Sequence, residues 1–153
     1  LENDYACDIT CAFTVQEEIG LRGAACVGHS VAADEALILE GTTANDLGDV
    51  PSHLRVCRVG QGVAVSFMDR ASVSSRPVWQ KLRDVAVEEG IPWQFKQSVS
   101  GGNDAGEIQL AREGVPTGVL GVPCRNIHSG SSVAAFSDIE AQYRLADSYL
   151  RRQ

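Results

Sequence analysis

The sequence lacks the features that would assign it to a membrane, secreted or nucleic-acid-binding class. None of its apolar runs approaches the ~18 residues of a membrane-spanning helix, so no membrane partner is expected. No signal-peptide pattern and no glycosylation sequon occurs in the 153 residues. Only 13 Lys and Arg stand against 20 Asp and Glu, a net charge of -7. Because phosphate binding needs clustered cations, this balance argues against a nucleic-acid partner.

The cysteines show no metal-binding or disulfide pattern. There are five, an odd number, and no two form a CxxC pair, which argues against a structural zinc module. They are predicted to be buried, reduced thiols that pack as small hydrophobes. Reduced thiols favour a reducing compartment, and a cytoplasmic location is therefore expected.

The remaining composition is that of an ordinary globular domain. Apolar residues make up 44% and charged residues 22% of the 153-residue chain, which fits one domain with a sizeable core. The sequence opens on Leu1 rather than methionine, in a segment already leading into a predicted strand. It is therefore expected to be a piece of something longer.

Predicted strands and helices alternate along the chain. This order predicts an α/β fold with a mostly parallel sheet and helices on both faces. Strands are predicted over residues 8–15, 35–40, 54–59, 63–67, 92–99 and 116–122. Helices are predicted over residues 19–32, 77–90, 104–113 and 137–150, with loops at 41–53 and 123–130.

Residues able to bind a metal follow three of these strands. Glu17 and Glu18 follow the first strand, Glu40 ends the second and His128 follows the last. The carboxyl ends of parallel strands meet at one edge of a sheet, where ligands bind. Oxygen and imidazole donors suit zinc, cobalt or manganese, so a metal-dependent hydrolase is the hypothesis.

The adjacent glutamates are expected to have different tasks, because neighbouring side chains on extended backbone point in opposite directions. One can bind a metal while the other faces the substrate. Paired metals would polarise a peptide carbonyl and lower the pKa of a bridging water to about 7. A free glutamate would then take that water's proton and deliver it to the leaving amine.

Three motifs resemble those of a known family. Residues 13–24, FTVQEEIGLRGA, resemble the signature of the dinuclear-metal tetrahedral aminopeptidases, which include glutamyl aminopeptidases and proteins often labelled endoglucanase. Residues 101–106, GGNDAG, are similar to that family's Gly-Gly-Thr-Asp-Ala-Gly. Residues 122–129, VPCRNIHS, are similar to its Val-Pro-x-Arg-Tyr-x-His-Ser. The resemblance implies a zinc-exopeptidase-like fold.

Carried over position by position, the resemblance implies a role for each candidate residue. Glu17 would be the general base, Glu18 and His128 ligands of one divalent metal, and Glu40 a ligand of the second. The family usually has aspartate at the position of Glu40. The implied activity is metal-dependent removal of N-terminal residues from peptides, by a protein that forms homo-oligomers at full length.

Two ligands of that family have no counterpart here. They are a His in a His-x-Asp motif and a bridging Asp near a Leu-Asp-Asp/Asn-Arg motif, both upstream of the glutamate pair. Nothing before Phe13 matches either motif, since Asp4 and Asp8 stand in other contexts, and the lid domain is also missing. Residues 1–153 are therefore expected to be the C-terminal half of a metallopeptidase catalytic domain.

Alternatives remain open at this point. The chain could be a catalytically incomplete fragment or subunit that acts by assembly, or a glycosidase, as the endoglucanase label suggests. Asp104 is expected to be a helix cap first and to act near the substrate second. Arg125 is expected to lie on the surface or, as the alternative, to pair with a carboxylate near the site. His29 and His53 are expected to be structural or exposed rather than ligands.

Overall fold

The computed structural model of the protein describes residues 5–48 and 50–153. Asp4 lies outside the described residues. The helices and strands are α1 (Arg22–Ser30), β1 (Ala36–Thr43), β2 (Val63–Ser66), α2 (Arg76–Glu88), β3 (Trp93–Phe95), α3 (Ala105–Ile108), β4 (Thr117–Arg125), β5 (Val133–Ala134) and α4 (Phe136–Leu150). Two single-turn 3-10 helices span Glu17–Ile19 and Ser52–Leu54.

The strands form one mixed sheet in the order β1-β4-β2-β3, with β5 also paired to β4. β1 runs parallel to β4, and β2 runs parallel to β3. The β2–β4 and β4–β5 pairings are antiparallel. The predicted α/β fold is confirmed. The sheet is mixed because β2 and β4, which are neighbours in it, run in opposite directions.

Helices cover both faces of the sheet, as predicted. On one face α2 and α4 enclose the main core, in which Leu82 and Tyr149 pack with Val63 and Leu120. On the other face α3 places Ala105 against Ile38 and Val119. Leu120 and Val119 belong to opposite faces because successive side chains of a strand alternate.

A glycine lets α2 lie close to the centre of the sheet. A Cβ atom on Gly118 of β4 would lie 2.5 Å from Val78 Cγ1 and 3.2 Å from Leu82 Cδ1. Val78 and Leu82 are one helical turn apart on the buried face of α2. The absent side chain therefore determines how tightly the helix packs.

The strand predicted over residues 8–15 is wrong. These residues form no ladder within the described chain, and Phe13 is 95% exposed. The alternating pattern meets no neighbouring strand there to pair with. Instead the Val15 carbonyl accepts from the Gly23 N–H at 2.9 Å. Glu17 and Glu18 consequently lie on a 3-10 turn, not at a strand end.

Other boundaries also differ from the predictions. Residues 54–59 form no strand, because the Gln94 side chain takes the Arg58 N–H and carbonyl that a ladder would use. The strand at 92–99 contracts to β3 and the helix at 104–113 to α3. β4 extends into the predicted loop because β1 and β5 pair with it there.

The cysteines are all free, as expected, but three are not buried. Cys57 is buried and Cys124 half-buried, whereas Cys7, Cys11 and Cys26 are exposed. The three exposed cysteines lie on α1 or on the N-terminal segment that forms no strand among the described residues, and little of the protein covers them. Within the described ranges, no helix is both long and apolar enough to cross a bilayer.

Candidate active site

The four predicted site residues line a single cleft. Its volume is about 560 Å³, and Glu17, Glu18, Glu40 and His128 all contribute to its walls. The walls come from the 3-10 turn Glu17–Ile19, from β1, from the turn before α3 and from the loop after β4. Residues more than a hundred positions apart are thus brought to one place.

Glu18 and His128 are in direct contact. Glu18 Oε1 lies 3.1 Å from His128 Nε2, and both side chains are about two-thirds exposed, at 70% and 66%. Two ligands of a tetrahedral zinc ion, each about 2.0–2.1 Å from it, lie roughly 3.3 Å apart. The spacing of these two atoms therefore suits neighbouring ligands of one ion.

The loop backbone that carries His128 is constrained. His128 has φ 63° and Asn126 has φ 54°, both in the left-handed region that non-glycine residues seldom adopt. The hydroxyls of Ser129 and Ser132 both donate to the Asn126 carbonyl, at 2.6 and 3.0 Å. This compact loop directs the imidazole back toward the 3-10 turn Glu17–Ile19, which we call the acidic turn.

Glu17 is half-buried beside other carboxylates. Burial raises the pKa of the Glu17 carboxyl, and the nearby charges of Glu18 and Asp104 raise it further. His128 acts in the opposite direction. A carboxylate with a raised pKa is a better proton acceptor near neutral pH than an exposed one.

Glu40 is the most perturbed carboxylate of the cleft. Burial raises its pKa to about 8, the positive charge of Lys96 opposes that rise, and Asp69 adds to it. Lys96 is 5% exposed and also lines the cleft. Without a further cation, this environment favours the protonated form of Glu40.

Asn103 and Asp69 extend from Glu40 into the protein. Asn103 Nδ2 donates to Asp69 Oδ2 at 2.7 Å and lies 3.4 Å from Glu40 Oε1. Asn103 and Asp69 are both buried. Glu40 and Asn103 are also positions at which this chain departs from the family motifs, which have Asp and Thr there.

Asp104 is at the N-cap position of α3 but does not cap it with its side chain. Thr14 Oγ1 instead donates to Asp104 Oδ2 at 2.5 Å. Asp104 Oδ1 is buried and has no hydrogen-bond partner among residues 5–48 and 50–153. The contact ties the segment before the acidic turn to the opposite wall of the cleft.

Arg125 pairs with a carboxylate outside the cleft lining. Its Nε and Nη2 donate to the two oxygens of Asp46 at 2.7 and 2.8 Å. Arg125 holds the pKa of the Asp46 carboxyl below its ordinary value. A carboxylate partner is one of the two expectations for Arg125, and His29 and His53 are exposed, as expected.

The residues present fit part of a metal site. Across residues 5–48 and 50–153, no three His, Cys, Asp or Glu side chains cluster closely enough to hold a metal ion. Glu18 and His128 form a pair, and Glu40 lies in the same cleft outside that pair. The donor chemistry suits a divalent cation, because the cleft is lined by four carboxylates, those of Glu17, Glu18, Glu40 and Asp104. Among the described lining residues, Lys96 is the single Lys or Arg that could balance their charge.

Sequence reasoning missed Lys96 and the partnership of Asp69 with Asn103. Asp69 and Lys96 stood outside every motif, and Asn103 was seen only as part of a glycine turn. A lysine directly after the aromatic residues Trp93 and Phe95 was the one available signal for Lys96, since lysine is seldom buried.

Comparison with known proteins assigns the chain to a family. Residues 1–145 match the model of the M42 glutamyl aminopeptidases. The chain belongs to the M42 glutamyl aminopeptidase family. A putative aminopeptidase of Acetivibrio thermocellus is 36% identical over 139 residues, which cover 90% of this chain and 41% of that protein.

Solved structures of the family have the same fold. A TET aminopeptidase from the marine sediment archaeon Thaumarchaeota archaeon SCGC AB-539-E09 superposes with a TM-score of 0.88 at 37% identity, over 91% of this chain and 39% of that one. A TET1 peptidase from Pyrococcus horikoshii, described as able to assemble into a tetrahedron or a large octahedral shell, gives 0.73 at 28% identity, over 90% and 39%. This M42 chain thus spans about two-fifths of the length of these relatives.

Proposed function

We propose that this chain forms the C-terminal half of the catalytic domain of a metal-dependent aminopeptidase. The observation that carries the proposal is the convergence of Glu17, Glu18, Glu40 and His128 on one cleft in a member of the M42 family. The upstream metal-ligand segment and the lid lie outside the 153 residues in this proposal.

Glu18 and His128 would together hold one divalent ion, and Glu40 would hold a second. The 3.1 Å contact between Glu18 and His128 supports the first assignment. The burial of Glu40 among carboxylates supports the second, because a cation would relieve the cost of ionising it there. When bound, zinc, cobalt or manganese would polarise the peptide carbonyl and acidify a nearby water.

Glu17 acts as the general base in this proposal. It accepts a proton from the attacking water and passes it to the amine that leaves. Burial and the neighbouring carboxylates raise the pKa of Glu17, which favours its acceptance of the proton from water in the first step. Glu18 would bind the metal ion, so the two adjacent glutamates would have separate roles.

The test is Glu17→Gln in the protein as it occurs, assayed on a chromogenic aminoacyl amide. Glutamine keeps the shape and removes the base, so activity should fall ~10²–10⁴-fold. Glu113→Gln, an exposed glutamate outside the cleft, is the matched control and should leave activity unchanged.

Two results would contradict the proposal: retained activity in Glu17→Gln, or activity untouched by a chelator. Hydrolysis of a cellulose oligomer without aminoacyl-amide hydrolysis would favour the glycosidase alternative. A protein that folds and assembles but cleaves neither substrate would favour the non-catalytic subunit.

The wider setting follows the family. Peptides are the proposed substrates, and the P. horikoshii relative supports a homo-oligomeric assembly of the full-length protein. The free cysteines support a reducing, cytoplasmic location. Sedimentation of the full-length protein would test the assembly directly.

A further inference from the structure

One buried amide links Glu40 to a second carboxylate. Asn103, 1% exposed, lies in the turn before α3. Its Nδ2 donates to Asp69 Oδ2 at 2.7 Å and is directed toward Glu40 Oε1 at 3.4 Å. A single nitrogen therefore lies between carboxylates from two different parts of the fold.

The partners of Asn103 determine which way its amide faces. The Ala105 N–H donates to Asn103 Oδ1 at 3.0 Å, so that side must be the oxygen. A carboxylate can only accept unless it is protonated, so the side facing Asp69 must be the nitrogen. With one amide proton directed to Asp69, the other is available to Glu40.

Asp69 is a fixed anchor for this amide. Its Oδ1 accepts from the N–H groups of Ala71 and Ser72, both at 2.7 Å. Its Oδ2 accepts from the Ser72 hydroxyl at 3.0 Å as well as from Asn103. A carboxylate with this many local donors cannot follow a movement of Glu40, so Asn103 is held in place.

We propose that Asn103 is a positioning residue for Glu40, holding the carboxylate through Oε1 and leaving Oε2 for a divalent cation in the cleft. Within the described residues, no hydrogen bond or ion pair is made to Oε2 of Glu40. Asn103 supplies its donor from a buried turn that is itself anchored by Asp69. The inference rests on the proposed function only in naming a divalent cation as the ligand.

The test measures Mn²⁺ affinity by calorimetry, without any substrate, for the wild type, Asn103→Ala and Asn103→Leu. Loss of a hydrogen-bond partner behind a metal ligand typically weakens binding about 10–100-fold, and that loss is expected for both variants. The matched control is Asn45→Ala. Asn45 is exposed, lies outside the cleft lining and donates to the Leu54 carbonyl.

A double-mutant cycle shows whether Asn103 acts through Glu40. In a Glu40→Gln background, Asn103→Ala should produce no further loss of affinity. An equal loss in both backgrounds would overturn the inference, and so would an unchanged affinity in Asn103→Ala. Glu17→Gln, which tests the proposed function, should bind Mn²⁺ like the wild type, so the two proposals can fail separately.

Replacement of a buried asparagine can prevent folding, and a second variant covers that case. Glu40→Asp withdraws the carboxylate from Asn103 by one methylene and leaves the buried residue untouched. It should lose affinity about 10-fold or more. Wild-type affinity in Glu40→Asp would overturn the inference.

Discussion

The acidic residues of the cleft come from two regions that are held in different ways. Glu17 and Glu18 lie on a single 3-10 turn, and the mostly exposed segment before it joins no β-ladder within the described residues. Glu40 lies on β1, which pairs with β4 over eight residues, Ala36–Thr43. The turn is connected to the far wall mainly by the Thr14–Asp104 hydrogen bond and the Glu18–His128 contact.

The difference shows that burial, more than residue type, distinguishes these glutamates. An exposed contact such as Glu18–His128 contributes little stability by itself, so both groups stay free to bind a ligand. The strand instead holds Glu40 in a desolvated place, where ionising it is costly. One region supplies adaptable groups and the other a rigid one.

The largest expected effect is on the pH dependence of stability of the metal-free protein. The folded pKa of Glu40, about 8, exceeds its ordinary value of 4.5, so the fold favours the protonated form. Stability from this group is full below pH 4.5 and is lost as pH rises toward 8. The loss is at most about 5 kcal/mol for a shift of this size.

Urea unfolding at pH 5 and pH 8 measures that loss. Glu40→Gln should remove most of the difference in unfolding free energy between the two pH values. A smaller difference should remain in this variant, because the pKa of Glu17 is also raised. An identical difference in wild type and Glu40→Gln would show that Glu40 is not the group responsible.

The rigidity of the strand pair can be challenged at Gly118. Gly118→Val places side-chain atoms where Val78 and Leu82 of α2 now lie, and should cost about 3 kcal/mol by overpacking. The control is Gly130→Val, because a Cβ there meets nothing within 4 Å and the residue is exposed. Equal unfolding midpoints in urea for the two variants would contradict the close packing.

The hydrogen bond that connects the segment before the acidic turn to the opposite wall of the cleft can be removed by a substitution at Thr14. Thr14→Val removes the hydroxyl that donates to Asp104 Oδ2, while Oδ1 already lacks a partner in the part of the chain that the structure describes. The expected cost is about 1–2 kcal/mol in thermal unfolding. Thr14→Ser keeps the donor and should stay near the wild type; a similar loss in both would mean that packing, not the hydrogen bond, matters.

The smallest effect is expected at the exposed segment. Phe13→Ala should change the free energy of unfolding by less than about 0.5 kcal/mol, because its side chain is almost fully exposed. Leu120→Ala, in the core beside β1, should cost about 2–5 kcal/mol in the same assay. A large loss at Phe13 would show that the segment is covered in solution.

Local patterns predicted the parts of the fold that depend on one segment at a time. The helical spacing of Val78, Leu82 and Val85 predicted α2, and the helix predicted over residues 137–150 begins within one residue of α4. The pattern at residues 8–15 failed because a strand exists only when a neighbour pairs with it. Likewise, nothing in residues 54–59 indicated that the Gln94 side chain would occupy their backbone groups.

The sequence by itself determined the family and the order of its motifs, because the glutamate pair, the glycine turn and the His128 loop keep the family's residue types in series. Tertiary structure alone decided how those motifs meet. It placed half-buried Glu40 and buried Lys96 in one cleft, put Asp69 behind Asn103, and left Phe13 uncovered. The physical reason is that burial and hydrogen bonding depend on which distant segments come together, which the residue order of one segment does not contain.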